Sequence, residues 1–422
     1  MTAASTFARQ WSQKRLKFCA SYNDEVLSEE TDALKQIDYV EISDVSLVDG
    51  IQRITSMPFY QAPSRARRKV RSGDILISTV RTYLKAIAAV DSATDNLIAS
   101  TGFCVVRPQC ELDSSFAGWA VRSDEFVGEV VSRSVGVSYP AINASQLVDI
   151  AIPLPPMETQ RHIAAFLDKK VAQIDALIAK KRTLLERLAE KRQAIITQAV
   201  TKGLDPSVPM KDSGIEWLGQ IPAHWEVKRL KFVGETILGL TYAPLDVVNE
   251  GEGKLVLRAS NIQKGLLTRD DSVFVQTEIP DELILRAGDI LICSRNGSRA
   301  LIGKNAIISP DYEGETFGAF MTVYRSKMHR FIHLVFNSEL FSFQSGRFMT
   351  STINQLTINT IKDFAVPIPS EEEQQAIADA VHAQLNPLDL LADRIGVSIE
   401  KLAEHRSALI TAAVTGQIEG LQ

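Results

Sequence analysis

Cysteine is scarce in this chain. There are four, Cys19, Cys104, Cys110 and Cys293, and no two have CxxC spacing. That excludes a zinc module and a disulfide scaffold, and it fits a reducing cytoplasm. Long apolar runs are absent too. No segment reaches the ~20 residues of a membrane-spanning helix, and the polar first 17 residues lack the apolar core of a signal peptide. An excess of positive charge is also missing. Lys and Arg number 46 against 51 Asp and Glu, a net charge of −5. A self-sufficient nucleic-acid binder is usually basic overall, so any DNA contact must come from local basic clusters.

Catalytic signatures are missing as well. Gly297 and Gly303 are followed by Lys304-Asn305, but a phosphate loop has four residues between its glycines and ends in Lys-Ser or Lys-Thr. No GxGxxG opens a helix. Leu154-Pro155-Pro156-Met157 lacks the acid or amide and the aromatic of an amino-methyltransferase motif. His329 and His333 stand four apart, yet no Glu follows His329 and two histidines are too few for a metal site. No catalytic residue and no metal ligand is expected.

What the chain does contain is a repeat. The steps Leu167, Val171, Ile174, Ile178, Lys181, Leu185, Leu188, Arg192, Ile195, Ala199 alternate four and three, a heptad seam. Adding 214 gives Val381, Leu385, Leu388, Ala392, Ile395, Ile399, Leu402, Arg406, Leu409, Ala413. The pentapeptide at residues 14–18, Lys-Arg-Leu-Lys-Phe, recurs at 228–232, and Trp11 recurs as Trp225. Ile152-Pro153-Leu154-Pro155 returns as Val366-Pro367-Ile368-Pro369. Arg71 to Ile77 returns as Arg286 to Ile292, at an offset of 215.

These repeats predict globular part, helix, globular part, helix, with an apolar content of 45% and a charged content of 23% that suit a soluble protein. The expected boundaries are 1–155, 156–203, 204–369 (a Pro- and Gly-rich linker and the second globular part) and 370–422. The expected class is α+β: two globular α/β domains separated by two long antiparallel coiled-coil helices, with pseudo-twofold internal repetition. Pro156 suits a helix start and Gly203 a helix stop. Ser370-Glu371-Glu372-Glu373 reads as a capping box. Asn386-Pro387 reads as a break that restarts the second helix. A strand is expected over 39–45 and a helix near 115–131. The seam from Leu167 to Ala199 would span roughly 50 Å.

Candidate contacts for DNA lie in polar loops. Ser294 to Arg299 follows the apolar run 290–293, and Arg295, Asn296, Ser298 and Arg299 carry groups that reach base edges or phosphates. Arg81 and Tyr83 occupy the equivalent place in the first copy. Arg65, Arg67, Arg68 and Lys69 belong to a run of five cations in seven residues, suited to phosphates. Asn354 and Gln355 sit where the first copy has Tyr139 and its neighbours. Arg258 and Asn261 complete the candidates.

The chain resembles the specificity subunit of type I restriction-modification systems. The resemblance rests on residues 212–219 (Asp-Ser-Gly-Ile-Glu-Trp-Leu-Gly), on Ile221-Pro222-Ala223-His224-Trp225, on both Gly-Asp-Ile-Leu turns and on the proline runs entering both helices. The first copy lacks the Asp-Ser-Gly-Ile-Glu-Trp preface, which leaves its N-terminal edge undefined. The resemblance implies two target recognition domains, each reading half of a split duplex DNA sequence. It implies helices that act as a ruler and as a dock for two modification (methyltransferase) subunits. Those subunits would bring S-adenosylmethionine, and a restriction motor-nuclease subunit would bring ATP and Mg, with no cofactor in this chain. On the residues alone, a coiled-coil scaffold with two partner-binding domains stays open. Steep salt dependence of binding would separate duplex recognition from apolar scaffolding.

Overall fold

A computed structural model describes residues 11–348 and 355–421. It divides into two compact units, Met1–Arg182 with Gly396–Gln422, and Thr183–Ile395. Each unit holds two four-stranded sheets. In the first unit, the strands Ala20–Tyr22, Phe103–Pro108, Ile75–Ser78 and Ile87–Ala89 lie side by side in that order. Thr55–Pro58, Gln36–Val40, Leu97–Ser100 and Ala66–Lys69 form the other sheet. In the second unit the first of these sheets is matched by Glu235–Leu238, Met321–Arg325, Ile290–Cys293 and Asn305–Ile307. The other is matched by Val247–Val248, Phe274–Val275, Lys254–Leu257 and Thr316–Phe317.

The apolar runs become strands buried on both faces. Ile75 and Ile77 face one core, shared with Leu167 and Val171 of the first long helix, while Leu76 faces a second core. Ile290 and Ile292 likewise face the core holding Val381 and Leu385, while Leu291 and Cys293 face the other. Each strand is entered through a glycine in the left-handed region, Gly73 at φ 86° and Gly288 at φ 91°. The next residue is a buried aspartate. Asp74 accepts from the Arg71 backbone N–H at 2.8 Å and from Arg107 Nε and Nη2, both at 2.8 Å. Asp289 accepts from the Arg286 N–H at 2.9 Å and from Arg325 Nε and Nη2 at 2.8 and 2.7 Å. These carboxylates push both guanidinium groups further above their usual range.

The repeated frame closes in the same way in each unit. Ser12–Arg15 pairs antiparallel with Ala151–Leu154, and Glu226–Arg229 with Ala365–Ile368. Pro153 and Pro367 are accommodated because these ribbons have only two strands. Each ribbon leads into a long helix, Met157–Lys202 or Glu371–Val414. A buried glutamine ties each helix to the proline run before it: Gln160 Nε2 donates to Pro155 O at 2.8 Å, and Gln374 Nε2 to Pro369 O at 2.9 Å. The first helix stops at Gly203, φ 75°, which packs against the Trp225 ring. None of the twenty seam positions is exposed. In the first unit Asp175 of the first helix accepts from Arg406 of the second at 2.9 Å. In the second unit Arg192 donates to Asp389 at 3.2 Å.

Several expectations need correction. The second helix runs unbroken through Asn386 and Pro387. Pro387 deprives the Ala383 carbonyl of its helical donor, but Ala383, Asn386 and Pro387 are all exposed, so water can serve it. Of the expected capping box, only the Ser370 arm forms, accepting from Glu373 N at 3.3 Å. The Glu373 carboxylate instead accepts from Trp225 Nε1 at 2.9 Å and meets His224 Nε2 at 2.8 Å. The helix expected near 115–131 is two helices, Ser114–Ala120 and Asp124–Ser132, because Ser123 caps the second one. The strand expected over 39–45 ends at Val40, and a turn of 3-10 helix, Ile42–Asp44, follows. His329 stacks over Gly288, while His333 turns inward with both ring nitrogens buried. Among the described residues no group of three or more His, Cys, Asp or Glu could hold a metal, and no helix could cross a membrane.

Two outcomes follow from this packing. Asp289→Ala leaves the Arg325 guanidinium partly buried without its carboxylate and should cost about 3 kcal/mol in urea unfolding of the full chain. Arg325→Met leaves the carboxylate stranded and should cost a similar amount. The second outcome concerns His333. Burial, with His382 and Arg192 nearby, lowers its pKa to about 4. The fold therefore holds it neutral, and the unfolded chain takes up the proton first. Its contribution is intact above about pH 6.5 and is lost as pH falls towards about 4. His333→Leu should flatten the fall in melting temperature between pH 7 and 5.

Candidate nucleic-acid interface

The candidate site lies where each buried strand ends. In the first unit Ser78 Oγ donates to Val80 O at 2.6 Å and Thr79 Oγ1 to Gly102 O at 2.9 Å. Val80 then bridges to Ala141. These bonds turn the chain outward, and Arg81 takes a left-handed conformation at φ 51°, as does Lys85. Between them Thr82–Leu84 forms a 3-10 turn anchored by Thr82 Oγ1 donating to Ser134 Oγ at 2.7 Å. The Arg81 guanidinium lies over the Tyr139 ring, 4.8 Å from its centroid. Tyr139 and Tyr83 are both exposed, at 65% and 53%. Non-glycine residues at positive φ cluster where surrounding structure over-determines them, often at functional sites.

The second unit builds a comparable feature from other residues. Ser294 Oγ donates to Phe320 O at 3.0 Å, and Arg295 N donates to the same carbonyl at 3.0 Å. Arg295 bridges to Gln355, the counterpart of the Val80–Ala141 bridge. Its guanidinium lies 5.2 Å from the centroid of exposed Phe320. Asn296 Oδ1 accepts from Ser298 N at 2.9 Å, closing the turn that exposes Ser298 and Arg299. Arg295, Asn296, Arg258, Tyr242 and Phe320 line a cavity of about 410 Å³. Local motifs gave no signal for Tyr242 and Phe320, because they arrive from loops distant in the chain.

Other candidates are placed differently. Asn261 is fully buried, donating to Thr268 O and Asp270 O at 3.2 and 2.9 Å and accepting from Arg258 N at 2.9 Å. Its polar atoms are spent on a turn, so it is not a surface contact. Arg258 borders the cavity but is tied to Asp271, at 2.8 Å to the carboxylate. The cationic run does not form one patch, because Ala66–Lys69 is a strand and its side chains alternate in direction. Arg67 stacks on Phe59 at 4.9 Å, Arg68 and Lys69 are half-buried, Arg71 pairs with Glu25, and Arg65 is exposed. Asn354 lies outside the described residues. The structure thus brings together Arg81, Tyr83 and Tyr139 in one unit, and Arg295, Asn296, Ser298, Arg299 and Gln355 in the other.

Known proteins resemble this chain in sequence and in fold. The family model for the type I restriction modification DNA specificity domain matches residues 61–187 and 222–401. The type I restriction enzyme EcoKI specificity subunit of Escherichia coli (strain K12) is 25% identical over 333 residues, covering 75% of this chain and 68% of that protein. The MjaVIII specificity subunit of Methanocaldococcus jannaschii is 25% identical over 296 residues, covering 68% of this chain and 66% of that protein. The chain therefore spans about two thirds of the length of these relatives. A chain from a solved structure concerned with complex assembly and conformational transition of the type I R-M system is similar in fold. It has a TM-score of 0.69 and 24% identity, and the match covers 97% of this chain and 98% of that one. The two stretches matched by the family model make up well over half of the 422 residues, and the chain belongs to the family of type I restriction-modification DNA specificity domains.

Proposed function

We propose that the chain reads a bipartite duplex DNA sequence, one half-site per unit, and that it does so as the non-catalytic specificity subunit of a type I restriction-modification complex. The observation that carries this reading is the frame built twice with different loops. The same ribbon, glycine–aspartate turn and buried strand recur in both units, whereas Arg81-Thr82-Tyr83 stands against Arg295-Asn296-Gly297-Ser298-Arg299. A module that reads two different half-sites needs a constant scaffold and variable contacts.

In this reading the target recognition domains are 1–155 and 204–369, and the helical spacers are 156–203 and 370–422. Arg81, Tyr83, Tyr139, Arg258, Arg295, Asn296, Ser298, Arg299 and Gln355 form the DNA-facing set, with Arg65 on a phosphate. The partners are two modification subunits and a motor-nuclease subunit, which bring S-adenosylmethionine, ATP and Mg in the cytoplasm. The helices pair antiparallel as a coiled coil. Support for that comes from the heptad seam and from Asp175 meeting Arg406 in one unit while Arg192 meets Asp389 in the other.

Sequencing of methylated sites in cells carrying the chain with its modification subunit tests the reading. The expected result is a split motif with a fixed gap, and a single undivided motif would overturn it. Within unit two, Arg295→Ala should weaken duplex binding by about 1–3 kcal/mol and relax one base position if Arg295 reads a base. Phe320→Ala frees that guanidinium and should weaken binding less while leaving the motif unchanged. Affinity and motif both unaltered by Arg295→Ala would remove the residue from the interface.

The gap has its own test. Inserting Leu-Ala-Glu-Lys after Ala189 advances an α-helix by about 6 Å and turns it by roughly 400°, close to one full turn. The seam therefore continues, with a local stutter. One base pair is about 3.4 Å of duplex. Both half-sites should stay unchanged and the gap should lengthen by about one or two base pairs. An active variant with the original gap would show that helix length is not the ruler.

A further inference from the structure

One surface is the same in both units. Leu16–Phe18 and Leu230–Phe232 are short 3-10 turns within identical pentapeptides. Leu16 and Leu230 are fully buried, which accounts for the leucines. Phe18 and Phe232 are not buried; they are 60% and 71% exposed. Each ring is held from one side by the preceding lysine, with Lys17 Nζ 5.1 Å from the Phe18 centroid and Lys231 Nζ 5.4 Å from that of Phe232. Each lysine also pairs with one aspartate, Lys17 with Asp149 at 2.6 Å and Lys231 with Asp363 at 3.4 Å. Arg15 and Arg229 join the same carboxylates at 3.7 and 3.2 Å. Asp149 and Asp363, like the pentapeptides, stand 214 residues apart.

Folding requires the leucine, not an exposed benzyl ring. Solvent-facing positions with no partner are free to diverge, and the loops after Ser78 and Cys293 have diverged. Lys14 and Lys228 pair differently, with Glu111 and Glu226, but a patch whose phenylalanine, lysine, arginine and aspartate recur with the same pairings in both copies meets the same object twice.

That object is not the base sequence. In the first unit Ser78, which leads to Arg81, pairs with Phe103, whereas Ala20, two residues after Phe18, pairs with Pro108. In the second unit Cys293, which leads to Arg295, pairs with Met321, while Glu235, three residues after Phe232, pairs with Arg325. The patch and the reading loop thus lie at opposite ends of the same sheet in each unit, separated by about 10 Å of strand or more. The DNA backbone fits poorly as well. The ring offers nothing to a phosphate, and the aspartate in the patch repels one. A protein surface with an apolar socket for the ring, rimmed by carboxylates for the surplus cation, satisfies every group.

We propose that the Phe18 and Phe232 patches are two equivalent docking anchors for two copies of a single protein partner, and that this partner is the modification subunit. The proposal rests on the restriction-modification reading above. It assigns the stoichiometry of two to a duplicated side-chain arrangement.

The test uses the full chain and purified modification subunit, with native mass spectrometry for stoichiometry and titration for affinity. Wild type should take two copies. Phe18→Ser and Phe232→Ser should each weaken one of the two bindings about tenfold or more, and the double variant should weaken both. Both rings are exposed, so melting temperature and duplex affinity of the free chain should not change. Two copies bound by the double variant with wild-type affinity would overturn the anchor while leaving the restriction-modification reading intact. Lost duplex affinity with unchanged stoichiometry would make the patch a DNA contact and overturn it equally. A wild-type chain that takes no modification subunit would sink that underlying reading, and the proposal with it.

Discussion

A buried carboxylate gripped by a guanidinium fork sets the geometry of each unit. Asp74 and Asp289 are 1% and 2% exposed. A charge that deep is tolerable only when it is paired and its lone pairs are filled. Here the fork from Arg107 or Arg325 and a backbone N–H three residues earlier do both. The pairing matters because the strand that follows is apolar on both faces. Ile290 and Ile292 fit one core, Leu291 and Cys293 another. Hydrophobicity alone does not distinguish that register from one shifted by a residue, since a shift merely exchanges the two faces. The fork does distinguish them, because a shift would carry the aspartate away from its arginine. Fixing the register fixes where the strand ends, and so where the loop bearing Arg81 or Arg295 leaves the sheet.

The frame was legible in the sequence because it repeats and because its elements obey local rules. The heptad steps gave two long helices, the proline runs gave their entrances, and Gly203 gave a stop. The Gly-Asp-Ile-Leu turns identified the buried strands. What was hidden depends on partners distant in the chain. Pro387 reads as a break, yet helix packing continues on both sides of it and solvent reaches the carbonyl it leaves unpaired. Glu373 reads as half of a capping box, but the Trp225 indole N–H competes for it from 148 residues away. The cations of 65–71 read as one patch, but a strand sends them to two faces and Phe59 and Glu25 engage two of them. Asn261 has the right chemistry for adenine and the wrong burial.

The candidate interface shows the same division. Its polar residues were visible as loops after the apolar runs. The aromatic surfaces that hold them were not, because Tyr139 lies 58 residues beyond Arg81 and Phe320 lies 25 beyond Arg295. The two stacks also come from different elements. Tyr139 belongs to the loop that bridges back through Ala141, whereas Phe320 immediately precedes the strand beginning at Met321. The arginines themselves stand one position apart in the frame, since Arg295 takes the bridging place of Val80, so the frame dictates neither the arginine nor the ring beside it.

That arrangement suits a module whose specificity varies while its fold does not. A flexible arginine on a solvated loop would lose rotamer freedom on meeting a base, at a cost of about 0.5–1.5 kcal/mol. Stacked on a ring, the planar guanidinium is already restricted and keeps its N–H donors in plane for bidentate contact. The backbone bond from Arg295 N to Phe320 O restricts it further by tying the two stacked partners together. In the first unit the left-handed backbone at Arg81 serves the same end, aiming the side chain by local strain that the Val80–Ala141 bridge holds in place. Two different constraints therefore give one result, a guanidinium oriented before any ligand arrives. On the proposed reading, changing which base it meets would require changes in the loop and its aromatic support alone, while the Asp–Arg fork, the ribbon and the helices stay as they are.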